Sequence, residues 1–193
     1  DEWHLEDYRH NSGEWSWNFG LDLGEGYVTM DGGLLAPIVL VDSGWVMTVW
    51  CYSDVYTSNF MGVNSVFSGG WAEVNRGGKW EQIEPLDGYG YWLYGWFPWE
   101  SPRPCWGGKD NAGFFVFPLD FQGQALFRFR FASIYAMSGF EGLYIDDFYV
   151  GPATGLTEKA GKQPLSLSVS PNPAKGQVRI SFTLPEEGPY SLR

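Results

Sequence analysis

Cysteine, histidine and long apolar runs are scarce in this sequence of 193 residues, which holds two cysteines and two histidines. Cys51 and Cys105 allow either one disulfide in an oxidising compartment or two separate buried or free thiols. No apolar run approaches the roughly 18 residues that a membrane-spanning helix needs, and no basic and then apolar signal sequence follows Asp1. We therefore expect no direct membrane insertion, and we expect that any signal peptide lay upstream or was removed.

The motifs of common hydrolases are also missing. His4 and His10 lack a second pair of metal ligands, and no His-Glu-x-x-His motif occurs, so both are expected to be structural or surface residues. Neither a Gly-x-Ser-x-Gly elbow nor the context of a catalytic cysteine is present. Glu73, Glu81 and Glu84 could form a pair for glycoside hydrolysis only if folding brought two of them together. The sequence thus favours a non-catalytic protein.

Positive charge is scarce over most of the chain. Residues 1–151 hold 20 acidic against 7 basic residues, whereas residues 152–193 hold 3 against 5. An acidic surface repels phosphate backbones and anionic lipid heads, so we expect the first part to bind no nucleic acid and no membrane surface. Cations and neutral polymers stay open as ligands, and the change of sign indicates two bodies.

Aromatic residues, glycine and proline are abundant instead. Aromatic residues make up 19% of the chain, which also has 26 glycines and 12 prolines, and this composition favours strands and turns over helices. Residues 126–131 alternate, which predicts that Phe127, Phe129 and Phe131 point inward and Arg128 and Arg130 outward. The two arginines are either ligand contacts or solvated partners of nearby acids.

Other segments predict further strands separated by turns. They are one or two strands over Trp3–Phe19 around the turn Asn11-Ser12-Gly13, a buried strand from Leu34 to Leu40 with Pro37 at an edge or bulge, a core strand from Trp45 to Tyr52, a hairpin of Val66–Val74 with Lys79–Ile83, a loop-rich insertion over 84–113, and strands at Phe114–Leu119 and Leu143–Val150.

The chain divides at residues 152–164, whose Pro, Gly, Thr and Lys content is typical of a linker. Beyond it, Leu165, Leu167 and Val169 alternate with serines, and Val178, Ile180, Phe182 and Leu184 alternate again after a Pro-Asn-Pro turn. The pattern of residues 165–193 therefore predicts the first strands of a second β module. Three strands are too few to form a closed sandwich. We expect this module to be truncated at Arg193.

Residues 169–184, VSPNPAKGQVRISFTL, resemble the start of the C-terminal sorting domain of type IX secretion substrates from the Bacteroidetes and related phyla. The resemblance covers about 29 residues, from Leu165 to Arg193, and the later strands and the Lys-rich terminal signal of that family are missing. It implies an incomplete immunoglobulin-like module and export across the outer membrane, followed by attachment to the surface or release from it. It implies no chemistry.

Residues 1–151 resemble the jelly-roll module that follows the catalytic domain in immune-inhibitor-A-like secreted metallopeptidases, which is related to MAM and carbohydrate-binding jelly rolls. The resemblance rests on an ordered series of short segments. They are Trp3-His4, Tyr8-Arg9, Ser16-Trp17, Leu34 to Leu40, Gly70-Trp71-Ala72-Glu73-Val74 with Trp80, Phe127 to Phe131, and Gly142 to Phe148. It implies a jelly-roll-like antiparallel β-sandwich, and the 84–113 insertion departs most from the pattern.

Asp146 and Asp147 are adjacent carboxylates in the last strand of this domain. Calcium prefers oxygen ligands, and related jelly rolls often carry a structural calcium at such a residue, so a calcium site is one interpretation. Structural hydrogen bonding is the other. Successive strand residues point to opposite faces, which argues against a paired general acid and base.

The segment from Tyr89 to Trp99 is the densest aromatic stretch of the chain. Flat rings stack on the apolar faces of sugars, and Gly and Pro favour a loop that would present Trp92, Tyr94, Trp96 and Trp99 to a ligand. Packing of these rings over one end of the sandwich, or against a neighbouring domain, is the alternative.

These observations together predict a non-catalytic binding or adhesion module of a secreted or surface-anchored bacterial protein. Its expected partner is a polysaccharide or glycoprotein, bound by shape through the aromatic segment. One alternative is a structural subunit of an extracellular assembly, in which neighbouring domains or subunits complete its sheets. Another is the C-terminal fragment of a secreted metallopeptidase.

Overall fold

The computed structural model describes residues 3–20, 30–60, 63–94, 102–133, 139–153, 166–170 and 179–183. The regular elements of these residues are β-strands, which confirms the all-β class. Among them, no helix is long and apolar enough to cross a membrane. The strands are β1 (Trp3–Glu6), β2 (Ser16–Phe19), β3 (Met30–Leu35), β4 (Val39–Val41), β5 (Trp45–Asp54), β6 (Thr57–Phe60), β7 (Val63–Val66), β8 (Ser68–Arg76), β9 (Lys79–Gln82), β10 (Tyr91–Leu93), β11 (Arg103–Cys105), β12 (Asn111–Leu119), β13 (Gly123–Ser133), β14 (Gly142–Pro152), β15 (Ser166–Ser170) and β16 (Arg179–Thr183).

The first sheet has the strand order β1-β2-β14-β5-β12, and all of its pairs are antiparallel. The alternating residues Met47, Val49 and Cys51 of β5 are buried on its inner face. The predicted core strand from Trp45 to Tyr52 is therefore confirmed. The predicted turn between β1 and β2 also forms, with Gly13 at a φ of 67°.

The second sheet is built around β13. β8 and then β9 lie on one side of it, while β3 and β4 pair with successive halves of its other side. The alternation over 126–131 is confirmed, because Phe127, Phe129 and Phe131 are buried. The hairpin of β8 and β9 is confirmed as well, and Gly77 and Gly78 take the positive φ values that its tight turn requires.

The two sheets pack face to face through aromatic rings. Phe19 of the first sheet lies 4.7 Å from Phe131 of the second, measured between ring centroids. Phe148 of β14 contacts Phe127 and Phe129 at 6.1 and 5.6 Å. This packing gives the described domain a sandwich-like core of large apolar side chains.

A third sheet, β11-β10-β7-β6, extends the second sheet. The bridge between Gly70 of β8 and Trp106 connects the two, with backbone hydrogen bonds in both directions. The indole of Trp106 is fully buried and meets the rings of Tyr89, Phe117 and Phe129 at 5.3, 6.0 and 6.2 Å. The prediction that 84–113 is a loop-rich insertion was therefore wrong in part, because this segment supplies two short strands and part of the core.

The prediction of one buried strand from Leu34 to Leu40 was also wrong. The run breaks at Pro37 into β3 and β4, and Leu35, Ile38 and Leu40 are 59%, 69% and 70% exposed. Both strands pair with β13 and lie at the edge of the sheet. The expectation of an edge at Pro37 was correct, because proline cannot donate to a ladder.

Two strands of the predicted C-terminal module are described. β15 and β16 pair antiparallel, with Leu167 opposite Phe182 and Val169 opposite Ile180. The rest of residues 165–193 and most of the predicted linker lie outside the described residues. The domain boundary at 152–164 and the truncation at Arg193 remain predictions.

Candidate binding surface

The outer face of the second sheet carries a cluster of three arginines, two tryptophans and one glutamate. On β13, Arg128 and Arg130 point away from the core because the intervening phenylalanines point into it. The strand register places Glu73 of β8 opposite Arg128 and Trp71 opposite Arg130. We call the cluster of Trp71, Glu73, Trp80, Arg103, Arg128 and Arg130 the arginine face.

Glu73 is the centre of the arginine face and is only 4% exposed. Its carboxylate accepts a hydrogen bond from Arg128 Nε, and one from Trp71 Nε1 at 2.7 Å. Arg103 Nη1 lies at 3.4 Å and Arg130 Nη1 at 4.0 Å from it. A buried carboxylate needs such partners, and here one anion holds three guanidinium groups together.

The guanidinium groups also stack on indole rings. The guanidinium carbon of Arg128 lies 4.0 Å from the Trp80 ring centroid, and those of Arg103 and Arg130 lie 4.7 and 5.3 Å from Trp71. Such cation–π contacts fix the plane of each guanidinium. The arginine side chains stay 30%, 22% and 17% exposed for Arg103, Arg128 and Arg130.

Positive charge is in excess at the arginine face. Among the described residues, the three guanidinium groups pair with two carboxylates, Glu73 and Asp31, the second of which pairs with Arg130. Residues 1–151 contain 7 basic residues in all, so nearly half of the positive charge of an acidic domain converges here. Of the two interpretations of Arg128 and Arg130, the structure confirms that both pair with acidic residues. Their role as ligand contacts stays a prediction.

Two open depressions flank the arginines. One of about 380 Å³ is lined by Trp71, Glu73, Gln82, Pro102 to Pro104 and the other residues of the arginine face. The second, of about 450 Å³, shares Trp80, Arg128 and Arg130 with it and extends over Gly33 of β3. A Cβ atom at Gly33 would lie 3.3 Å from Arg130 Cδ, so glycine at this position leaves room for the arginine.

The aromatic segment divides between core and surface. Tyr89 and Leu93 are buried at 4% and 1%, and the Tyr89 hydroxyl accepts from Ala72 N and donates to Ile83 O. Trp92 and Tyr94 are 43% and 36% exposed. Core packing is therefore confirmed for Tyr89, and contact of Trp92 and Tyr94 with a ligand stays a prediction. Trp96 and Trp99 lie outside the described residues.

Asp146 and Asp147 do not point to opposite faces, so that expectation was wrong. The register of β14 against β5 shifts by one residue between Asp146 and Tyr149, and Asp147 has a φ of 48°. Such a β-bulge re-aims a side chain. Both carboxylates therefore reach the same turn: Asp146 accepts from the backbone N–H groups of Asn11 and Ser12, and Asp147 from their side chains.

The donors around these carboxylates fit hydrogen bonding better than a cation. Asp146 Oδ2 accepts two N–H groups and Oδ1 accepts the N–H of Asp147, while both oxygens of Asp147 accept from Asn11 or Ser12. Within the described ranges, no group of three or more His, Cys, Asp or Glu side chains is placed to hold a metal ion. Burial raises the pKa of Asp146 despite the N–H donors. Calcium at this site stays a proposal.

A second buried carboxylate, Asp54, ends β5. It is 5% exposed, and its Oδ2 accepts the N–H of Glu141 at 3.1 Å. Its Oδ1 has no hydrogen-bond partner among the described residues. Burial is the main reason that the pKa of Asp54 is raised above its usual value.

The two cysteines are free, buried thiols. Cys51 points into the core from β5. Cys105 packs against Gly69, where an added Cβ atom would lie 2.7 Å from the Cys105 Sγ. Burial raises the pKa of both thiols. Of the two alternatives from the sequence, the structure has separate thiols, and a thiol that stays protonated is a poor nucleophile.

The remaining candidate residues lie apart. His4 hydrogen-bonds Glu6 at 3.3 Å, and His10 is exposed. Glu73 lies within the arginine face, whereas Glu81 pairs with Arg76 at the tip of the β8–β9 hairpin. The exposed Glu84 follows β9.

Sequence reasoning missed the role of Trp71, Trp80 and Arg103. In the sequence, Trp71 and Trp80 contribute only to the jelly-roll resemblance, and Arg103 lies in the segment that was expected to be rich in loops. A signal was present in the alternation of β8, which puts Trp71 and Glu73 on the same face as each other. The chain matches no protein-family model and no curated protein, so its function is inferred from the described surfaces.

Proposed function

We propose that this chain is a non-catalytic binding module that recognises carbohydrate or glycoprotein and belongs to a longer exported bacterial surface protein. The observation that carries the proposal is Trp92, which is 43% exposed on a strand fixed between β7 and β11. Its neighbour Leu93 is buried and anchors that strand. A large ring held rigidly at the surface is the arrangement that stacks on a sugar without bond making.

The sorting-domain and jelly-roll resemblances support the same proposal. Export would place the module outside the cell, where polysaccharides are its accessible partners. The sequence prediction that Trp96 and Trp99 also contact the ligand is part of this proposal, and both lie outside the described residues.

Retardation in native gels that contain polysaccharide tests the proposal. Wild type should be retarded by at least one polymer in a panel of neutral chains, and Trp92→Ala and Tyr94→Ala should migrate freely in the same gel. Trp15→Ala is the matched control, because Trp15 is 41% exposed but precedes β2. All three variants should keep the wild-type melting temperature within about 2 °C. Retardation by no polymer, or equal loss in the control, would refute it.

An assembly subunit is the second candidate function, favoured by the edge formed by β3 and β4. Leu35, Ile38 and Leu40 are exposed there, and exposed apolar edge strands pair readily with another chain. Light scattering should then show oligomers that Ile38→Lys and Leu40→Lys dissociate. A monomer at all concentrations would exclude this function.

A further inference from the structure

The arginine face has a composition that a neutral sugar does not need. We propose that it binds the carboxylate groups of an acidic, uronate-containing polysaccharide. The inference rests on the proposed function as a glycan-binding module, and it adds the class of glycan and a second site besides the Trp92 platform.

The first reason is charge. In the part of the chain that the structure describes, three guanidinium groups lie against two carboxylates. This leaves an excess of positive charge at the arginine face, although residues 1–151 hold 20 acidic and 7 basic residues. The surrounding acids repel a polyanion from the rest of the surface, and the arginine face is where its charge is attracted. An acidic polysaccharide would therefore bind at the arginine face and not elsewhere on the acidic surface.

The second reason is the hydrogen-bonding capacity that remains. Arg128 uses Nε for Glu73, and no described residue accepts a hydrogen bond from its Nη1 or Nη2. Arg103 uses Nη1 for Glu73, and no described residue accepts from its Nη2. Planar guanidinium groups with free N–H pairs match the two oxygens of a carboxylate.

The third reason is preorganisation. Glu73 fixes one edge of the Arg128 guanidinium, and the Trp80 ring fixes its plane at 4.0 Å. Arg103 is held in the same way by Glu73 and Trp71. Ordering a free arginine costs binding free energy, and here that cost has been met on folding.

The fourth reason is shape. The depressions of about 380 and 450 Å³ lie on either side of Arg128 and Arg130, and each falls in the volume range of ligand pockets. Neighbouring sugar rings of one chain could occupy both, with their carboxylates directed at the arginines between them. Gln82 and Trp80 line the same surface and suit hydroxyl groups and a sugar face.

The test is retention and titration on polygalacturonate, with its carboxyl-reduced neutral counterpart and with dextran sulfate. Wild type should bind polygalacturonate, should bind the reduced polymer at least about tenfold more weakly, and should lose affinity as salt rises. Dextran sulfate should bind more weakly than polygalacturonate. Equal binding of the reduced polymer, or tighter binding of dextran sulfate, would overturn the assignment to carboxylates.

Arg128→Gln should weaken polygalacturonate binding about tenfold or more. Arg76→Gln is the matched control: Arg76 also pairs with a glutamate and lies 4.7 Å over a ring, that of Phe121, but at the hairpin tip. It should change the affinity less than about twofold. Arg103→Gln repeats the test if Arg128→Gln fails to fold. If Arg76→Gln weakened polygalacturonate binding as much as Arg128→Gln, the binding would depend only on the net charge of the protein, and the proposed site would be wrong.

The failures of the two proposals are distinguishable. If a neutral polymer binds in a manner that Trp92→Ala abolishes, while polygalacturonate binds no more tightly than its carboxyl-reduced counterpart, the glycan-binding function stands and the acidic site falls. If no polysaccharide binds, both fall.

Discussion

The guanidinium of Arg128 lies 4.0 Å over the Trp80 ring while its Nε donates to the buried carboxylate of Glu73. One arginine thus joins β13, β9 and β8 on the outside of the sheet. The stability of this surface depends on a single anion.

Replacement of that anion should be costly. Glu73→Gln leaves the guanidinium groups of Arg103 and Arg128 without their carboxylate, and loss of one partner of a buried ion pair costs about 3 kcal/mol. Glu81→Gln, which removes an exposed partner of Arg76, should cost less than about 1 kcal/mol. Urea unfolding measures both, and equal losses would show that Glu73 is not the centre of the cluster.

Asp54 predicts a pH dependence with a definite sign. Burial raises its pKa above the roughly 3.9 of an unfolded aspartate, so between these two values the folded protein binds more protons. The free energy of unfolding therefore falls as the pH rises through that window. At pH 7, Asp54→Asn should be more stable than wild type, and the difference should shrink towards pH 4.

The exposed Asp120 supplies the control for this experiment. Asp120→Asn should track wild type across the same range in urea unfolding. A less stable Asp54→Asn at pH 7 would mean that the ionised carboxylate has a partner that stabilises it.

The Asp146–Asp147 bulge predicts the effect of chelation. Because the oxygens of both carboxylates accept hydrogen bonds from Asn11, Ser12 or the Asp147 N–H, we expect the same melting temperature in EDTA and in calcium. A ligand that binds only the folded state raises the melting temperature. A rise with calcium that EDTA reverses would therefore replace the hydrogen-bonded interpretation with a calcium site.

The close packing around Gly70 leaves no room for a side chain, so a substitution there should destabilise the protein. A Cβ atom there would lie 2.3 Å from Leu143 Cδ2 and 3.0 Å from the carbonyl oxygen of Arg130. Gly70→Ala should cost about 1–3 kcal/mol or more in thermal or urea unfolding. Gly113→Ala, where a Cβ meets nothing within 4 Å, should be close to neutral. A neutral Gly70→Ala would contradict the close approach of the two sheets.

The free cysteines predict a simple thiol count. Native protein should react with no equivalent of a thiol reagent over minutes, and unfolded, unreduced protein should react with two, because both thiols are buried and unbonded. No reaction after unfolding would reveal a disulfide.

Local sequence patterns predicted the strands that keep one buried face and one outer face along their whole length. Phe127, Phe129 and Phe131 alternate over a strand with one buried and one outer face, so period-two reasoning was sufficient. The same reasoning failed at Asp147, because a bulge adds one residue to the strand, and an aspartate carries no glycine signal for the positive φ. A single extra residue reversed the expected face of a carboxylate.

The candidate site depended on contacts that are distant in sequence. Glu73 meets Arg103 and Arg128 across 30 and 55 residues, and only the strand order brings them together. Trp106 was hidden for another reason, since the Pro- and Gly-rich segment around it is typical of loops although its ring fills the core. A single buried ring at an isolated bridge after β11 has no periodicity to detect.

The position of β14 has a consequence for how the domain acquires its structure. The last strand of the sandwich lies in the middle of the first sheet, between β2 and β5, and its bulge holds the turn at Asn11 and Ser12 across about 135 residues. A chain that emerges from its N-terminus therefore keeps the edges of β2 and β5 open until residues 142–152 arrive. We therefore expect the first sheet to be completed only after residues 142–152 have been synthesised.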